Sequence, residues 1–164
     1  MSSELQTNSL YVVLFIRNEP PQPNDFHWAL YLHQDATMGG KKYHIKTVGP
    51  GWIPDHGPCS KISKEFLLVG LFRIADVPPS YHTYLDETLR SYDDNLNTPG
   101  NTCRIWVLSV LALLQQPANG ATIFDCQDLP ALQEEIFHWG NAHAQSAAAN
   151  KQPRPTGSSA LCGL

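Results

Sequence analysis

The sequence predicts an α+β domain in which an antiparallel β-sheet packs against helices. Apolar runs rich in β-branched and aromatic residues, typical of strands, cluster in the first half of the 164-residue chain. Stretches with capping residues at their starts, typical of helices, occupy the second half. A chain of this length, 42% apolar, can bury one hydrophobic core without disulfides or structural metal ions. We expect a single domain at residues 1–144 and a flexible tail at 145–164, a segment rich in Ala, Ser, Gly and Pro.

Four strands are predicted, each from an apolar run bounded by turn residues. The glycine pair Gly39-Gly40 indicates a turn, so the second and third strands should form a hairpin. Residues 49–58 are dense in Gly and Pro and are expected to form a loop. The predicted strands cover residues 10–16, 26–33, 43–48 and 66–74.

Three helices are predicted after the strands. Ser80 is a candidate cap for the first, and Asn101 or Thr102 for the second, which stops before Pro117. Pro130 suits the first turn of the third helix, where its missing N–H costs little. The predicted helices cover residues 80–92, 103–116 and 129–144.

Charge and hydropathy narrow the classes of partner. The formal net charge is −4 and no basic run exceeds two residues, which argues against extended nucleic-acid binding. The charged end of an RNA is the one nucleic-acid ligand that this charge distribution still allows. No apolar run reaches the 18 or so residues of a membrane span, and the N-terminus does not read as a signal peptide. The four cysteines are widely spaced, which favours reduced thiols. We therefore expect a cytoplasmic protein with a small-molecule substrate.

Cys103 is the first candidate for a catalytic residue, as a nucleophilic thiol. It lies at the predicted start of a helix, where unpaired backbone N–H groups and the helix dipole stabilise a thiolate. The alternative is a cysteine that merely packs in the core, as most do. Cys59, in a Pro-Cys-Ser loop, and Cys126, near another predicted helix start, are weaker candidates.

His27 is the candidate general base. Strand alternation places it with Tyr31 and His33 on one face, whereas Trp28 and Leu30 point to the other and can bury against helices. The alternative is an ordinary strand histidine bonded to backbone.

His44 is the candidate third member of a catalytic triad with Cys103 and His27, since a base works better when another polar group holds its tautomer. It lies on the strand expected to pair with the strand of His27, but the long turn leaves the register open. Thr47 and Asn101 are alternatives for the same role.

Metal and cofactor motifs are weak. His56 and Cys59 have the spacing of half a zinc site, but the second pair of ligands that such sites usually show is missing. Glycine-rich nucleotide motifs are also missing. We expect no metal and no cofactor, with a zinc protein as a minor alternative.

Three short motifs carry a resemblance to a known family. His-Trp-Ala-Leu-Tyr-Leu at 27–32, a following strand with His44, and Asn-Thr-Cys-Arg-Ile-Trp-Val at 101–107 resemble lecithin:retinol acyltransferase-like proteins. These are circularly permuted relatives of papain and of the NlpC-type cysteine peptidases, in which the base precedes the nucleophile. The sequence departs from the family pattern at Thr102, which separates Asn101 from Cys103, and at Arg104-Ile105, where Glu-His is usual.

The resemblance implies a permuted papain-like fold with Cys103 as nucleophile, His27 as general base and His44 as orienting partner. The expected function is acyl transfer from an ester, thioester or amide donor to an amine, a hydroxyl or water. A non-catalytic binding module on the same fold is the alternative. Four aromatic residues are candidates for lining a substrate pocket, although core packing explains them equally well: Tyr31, Tyr43, Trp52 and Trp106.

Overall fold

The computed structural model describes residues 4–164 and shows a mixed β-sheet packed with three α-helices. The chain is therefore α+β, as the sequence predicts. The helices are α1 (His82–Leu89), α2 (Cys103–Leu114) and α3 (Leu129–Ala148). The strands are β1 (Ser9–Ile16), β2 (Phe26–Asp35), β3 (Gly39–Tyr43), β4 (Ile45–Val48), β5 (Gly51–Pro54), β6 (Gly57–Cys59), β7 (Leu68–Asp76) and β8 (Thr156–Ser158).

Six strands form the main sheet in the order β6-β3-β2-β1-β7-β8. All neighbours are antiparallel except β7 and β8, which run parallel. The prediction of an antiparallel sheet is therefore wrong at this edge, because the chain returns through α3 before adding β8. Strand β1 lies in the middle and is buried along its whole length, which explains its nearly unbroken apolar sequence.

The two faces of the sheet have different cores. Trp28, Leu30 and Leu32 of β2 belong to the larger core, which the helices cover. Ala29 and Tyr31 belong to a smaller core on the opposite face, beneath a 3₁₀ turn at Ile62–Lys64. Alternation along β2 thus assigns each side chain to one of two environments, as the sequence predicts. We call the second surface the helix-free face.

The segment between β3 and β7 differs from the prediction. Residues 43–48 do not form one strand: β3 ends at Tyr43, and β4 leaves the main sheet to form a separate hairpin with β5. Residues 49–58 are not simply a loop, since they contain β5 and part of β6. Gly49, with φ +59, occupies the tight turn of the hairpin. The glycines and prolines there separate short strands and do not prevent pairing.

Helix boundaries follow local capping. Helix α2 begins at Cys103, and the Thr102 hydroxyl accepts the Ile105 N–H at 3.2 Å, which settles the choice of cap. The Asp128 carboxylate caps α3 through the Ala131 N–H at 3.0 Å. Helices α1 and α2 are shorter than predicted, whereas α3 continues four residues beyond 144.

Residues 145–164 do not form the expected flexible tail. Strand β8 pairs with β7, and the Arg154 side chain is buried and donates from Nε to the Leu68 carbonyl at 2.7 Å. Cys162 is also buried. Composition suggested mobility because small residues dominate the segment, but those residues allow close packing. Gly157, for instance, lies so near the Trp139 indole that a Cβ would be 2.7 Å from its Nε1.

Between residues 4 and 164, no helix combines the length and the apolarity needed to cross a bilayer.

Candidate active site

A chain of hydrogen bonds joins two histidines and an aspartate at the end of the sheet. His27 Nε2 lies 3.0 Å from His44 Nδ1, and His44 Nε2 lies 3.0 Å from Asp55 Oδ2. His27 is the second residue of β2, and His44 directly follows β3. The β4–β5 hairpin turns the chain back, so that the Asp55 N–H donates to the His44 carbonyl at 2.9 Å. We call these three residues the relay.

The direction of each hydrogen bond in the relay follows from chemistry. An ionised carboxylate can only accept, so His44 donates from Nε2 to Asp55. A neutral His44 then has its lone pair on Nδ1, and His27 must donate to it from Nε2. The lone pair of neutral His27 is thereby placed on Nδ1. Among residues 4–164 this atom has no hydrogen-bond partner, so it is available as a base.

Electrostatics favour these neutral forms. Burial lowers the pKa of His27 to about 4, with smaller contributions from the positive charges of Lys42 and Arg17. Burial and Lys42 also lower the pKa of His44 to about 4, although Asp55 acts in the opposite direction. Burial opposes ionisation of Asp55, but His44 and Lys46 outweigh it and hold the pKa of this carboxyl below its ordinary value. At neutral pH the relay is therefore two neutral imidazoles ending on a carboxylate.

A second histidine–aspartate pair supports the relay. His56 Nε2 lies 3.0 Å from Asp93 Oδ1, and His56 Nδ1 accepts the backbone N–H of His44 at 3.2 Å. The imidazole stacks on Trp106 of α2, with the ring planes 21° apart. Both nitrogens of His56 are engaged, so this residue fixes the backbone of His44 in place.

The same contacts bear on the zinc alternative. His56 has no free nitrogen for a metal, and Cys59 donates to Glu65 Oε1 at 3.5 Å. In the described part of the chain no three His, Cys, Asp or Glu side chains are grouped so that they could hold a metal ion.

Cys103 is the first residue of α2, and its side chain is 3% exposed within the larger, helix-side core. His27 lies opposite Phe15 in the β1–β2 register, and Phe15 belongs to the core of the helix-free face. Among the residues described, no hydrogen bond joins the Cys103 thiol to His27 or His44. The structure thus brings the two histidines together and leaves the thiol outside their hydrogen-bond network.

The other candidates for the third member lie elsewhere. Thr47 is exposed on β4, and Asn101 donates from Nδ2 to the Leu96 carbonyl at 2.8 Å. Cys59, the weaker candidate for the nucleophile, pairs with Gly40 at the far end of β3, and burial and Glu65 raise the pKa of its thiol. Of the three alternatives considered from sequence, only His44 contacts His27.

The four aromatic candidates do not line one pocket. Tyr43 and Trp106 are buried in the helix-side core, with Trp52 packed against it, whereas Tyr31 is buried on the helix-free face. The cavity next to the relay has a volume of about 180 Å³ and is mostly polar, with His44, Asp55 and Glu65 in its wall. Substrate contacts at this site would therefore be polar in the described conformation.

Sequence reasoning missed Asp55, His56 as a support, and Asp93 as its partner. Asp55 and His56 lie in the segment interpreted as a loop, and no local pattern connects them to His44. An Asp-His pair between prolines and glycines was the only local signal. Its meaning depends on the hairpin that folds it back onto the end of β3.

Comparison with known proteins gives a family and no function. The sequence profile of a family of unknown function, DUF6914, matches residues 7–148, and the chain belongs to that family. No curated protein and no solved structure matches the chain significantly.

Proposed function

We propose that this DUF6914 protein catalyses acyl transfer or hydrolysis through a thiol, with His27 as the general base and Cys103 as the nucleophile. The observation that supports this most is the relay, because its tautomers leave the lone pair of His27 Nδ1 without a partner among residues 4–164. His27 uses Nε2 for the hydrogen bond to His44, and in the described part of the chain nothing occupies its Nδ1.

The first half of the reaction forms an acyl-enzyme. His27 Nδ1 takes the proton from the Cys103 thiol, and the thiolate adds to the carbonyl carbon of an ester, thioester or amide. The tetrahedral intermediate collapses, the bond to the leaving group breaks, and His27 returns the proton to that group. The product of this half is a thioester on Cys103.

The second half releases the acyl group. His27 Nδ1 deprotonates water or an acceptor amine or hydroxyl, which attacks the thioester carbonyl and restores the Cys103 thiolate. The imidazolium then reprotonates the thiolate. In each half the positive charge on His27 is stabilised through His44 by Asp55, which stays ionised.

Helix α2 offers donors for the oxyanion. The Ile105 N–H is satisfied by the Thr102 hydroxyl and the Trp106 N–H by the Thr102 carbonyl. Among residues 4–164, the backbone N–H groups of Cys103 and Arg104 donate to no protein acceptor. Preorganised donors of this kind at a helix start favour negative charge developing beside the nucleophile.

The proposal requires the thiol to come into contact with His27 Nδ1 in the reacting complex. Cys103 lies in the helix-side core, whereas Phe15, the cross-strand partner of His27, lies in the core of the helix-free face, so this contact requires a rearrangement larger than a change of side-chain rotamer. Here the required movement takes the Cys103 side chain out of the helix-side core, where it is 3% exposed.

Acyl trapping tests the proposal directly. The full chain is mixed with p-nitrophenyl acetate, and nitrophenolate release and the mass of each cysteine peptide are followed with time. We expect a burst equal to the enzyme concentration and an acetyl group on Cys103. Cys103→Ala should abolish both, whereas the matched control Cys59→Ala should retain them. His27→Gln should slow acylation by about 10²- to 10⁴-fold, the usual contribution of a general base.

The variant Asp55→Asn tests whether the relay, and not His27 alone, supports acylation. The amide cannot carry the charge that stabilises the imidazolium, so acylation should fall while the fold, monitored by circular dichroism, is unchanged. Acetylation at another residue, or an equal burst in Cys103→Ala, would show that Cys103 is not the nucleophile.

A non-catalytic binding module is the second candidate, and the burial of Cys103 in a core cluster favours it. In that case Cys103 labels with iodoacetamide no faster than Cys126, another buried thiol, at any pH between 6 and 9, and p-nitrophenyl acetate gives no burst.

A further inference from the structure

We infer that a cavity on the helix-free face binds the phosphate group of a small ligand, at a site separate from the relay. The cavity has a volume of about 480 Å³, within the usual range of small-molecule pockets. Its wall includes the buried side chains of Arg154 and His33 and the exposed side chains of Lys61 and Lys64. None of the three relay residues contributes to it.

Arg154 is a buried charge without a counter-ion among the described residues. Its side chain is 5% exposed, and it donates to the carbonyls of Leu68 and Lys151 and to the Asn150 side chain. Within residues 4–164 it forms no ion pair with a carboxylate. Buried charges in proteins are normally paired, because removal from water is costly. The Leu68 and Lys151 carbonyls and the Asn150 side-chain oxygen supply only partial negative charge, which leaves a guanidinium able to bind an anion.

His33 supplies a hydrogen-bond donor in the same wall. The residue is 6% exposed, and its Nδ1 lies 2.9 Å from the Tyr31 hydroxyl, while Nε2 has no hydrogen-bond partner among the described residues. If the hydroxyl donates to Nδ1, the neutral ring carries its proton on Nε2. If Nδ1 donates instead, the hydroxyl proton is free. In either tautomer, the pair retains one donor for a ligand.

The charges around the cavity select the kind of anion. Arg154, Lys61 and Lys64 are positive, and among residues 4–164 Glu4 is the only acidic residue in the wall. Their sum is +2, which matches a phosphate monoester of nearly two negative charges at neutral pH. A carboxylate of single charge would leave part of the positive charge uncompensated. Neither lysine forms an ion pair within residues 4–164, so both are available.

Titration calorimetry with inorganic phosphate tests the site, using the full chain at low ionic strength. We expect saturable binding that is tighter than the binding of acetate, a monoanion. Lys61→Ala combined with Lys64→Ala should weaken phosphate binding roughly three- to thirtyfold, as expected for the loss of two exposed charge contacts. Both side chains are exposed, so this variant should fold normally. Arg17→Ala with Arg90→Ala removes the same charge from surfaces outside the cavity and should leave the affinity unchanged.

Two results would overturn the inference. One is the absence of saturable phosphate binding to the unaltered protein. The other is equal phosphate affinity in the two double variants. Arg154 would then serve only to hold the C-terminal segment in place. Neither result bears on acylation of Cys103, so the two proposals stand or fall separately.

Discussion

Acidification should destabilise the fold through the relay, because both of its histidines resist protonation. The pKa of each lies at about 4 in the folded protein, against an ordinary value of 6.5. Between these values the unfolded chain binds protons that the folded chain does not, so stability is complete above pH 6.5 and falls as the pH drops toward 4.

The size of the effect follows from the two pKa values. One histidine with these values loses about 2 kcal/mol of stability between pH 7.5 and pH 5. His27 and His44 are both partly exposed, which weakens the penalty, so we expect about 2–3 kcal/mol for the pair. Carboxyl groups contribute little in this range because their ordinary pKa values lie lower. Burial also lowers the pKa of His33 and of His143, so the contribution of the relay is the difference between the unaltered protein and a variant without its two histidines.

Urea denaturation at pH 7.5, 6 and 5 measures this loss. The variant His27→Gln/His44→Gln should show a pH dependence smaller by about 2 kcal/mol over the range, whatever its stability at pH 7.5. His138→Gln, at an exposed position, is the control and should behave like the unaltered protein. Equal pH dependence in all three proteins, or imidazole titration midpoints near 6.5 by NMR, would refute the reasoning.

Two further predictions concern buried contacts. Tyr43→Phe removes a hydroxyl that donates to Asp86 at 2.6 Å, and should lower the free energy of unfolding by about 1–2 kcal/mol in urea at pH 7; no change would mean that Arg90 and Lys41 satisfy Asp86 without the hydroxyl. Gly140→Ala places a Cβ 2.6 Å from a Leu14 methyl in the core, and should destabilise by about 1–2 kcal/mol despite the better helix propensity of Ala. Gly57→Ala meets nothing within 4 Å and is the matched control.

Local patterns predicted the parts of the fold that depend on neighbouring residues. The apolar runs placed β1 and β2 to within about a residue or two, and the turn before Cys103 placed the start of α2. Alternation along β2 separated Trp28 from His27, and the structure assigns their cross-strand partners, Leu14 and Phe15, to different cores. These features follow from the period of the backbone and from capping, which act over a few residues.

Long-range pairing decided the rest. The side chain of Asp55 reaches His44 only because a hairpin folds residues 49–54 back, and composition at that point indicated a loop. The C-terminal segment joins the sheet through β8 and Arg154, although its small residues suggested a flexible tail. In both cases the partner lies far along the chain or depends on strand register, which no local pattern specifies.

The sequence by itself determined the α+β class, the strand that presents His27 and the helix that begins at Cys103. Each of these follows from the spacing of apolar residues and from the capping residues at helix starts. Only the tertiary structure decided that His44 and Asp55 hold His27 in a defined tautomer, and that Cys103 packs in the core on the helix side. The same packing buries Arg154 with no counter-ion in the part of the chain that the structure describes. Which side chains meet depends on register and on the return path of the chain, and these are settled by the free energy of the whole core.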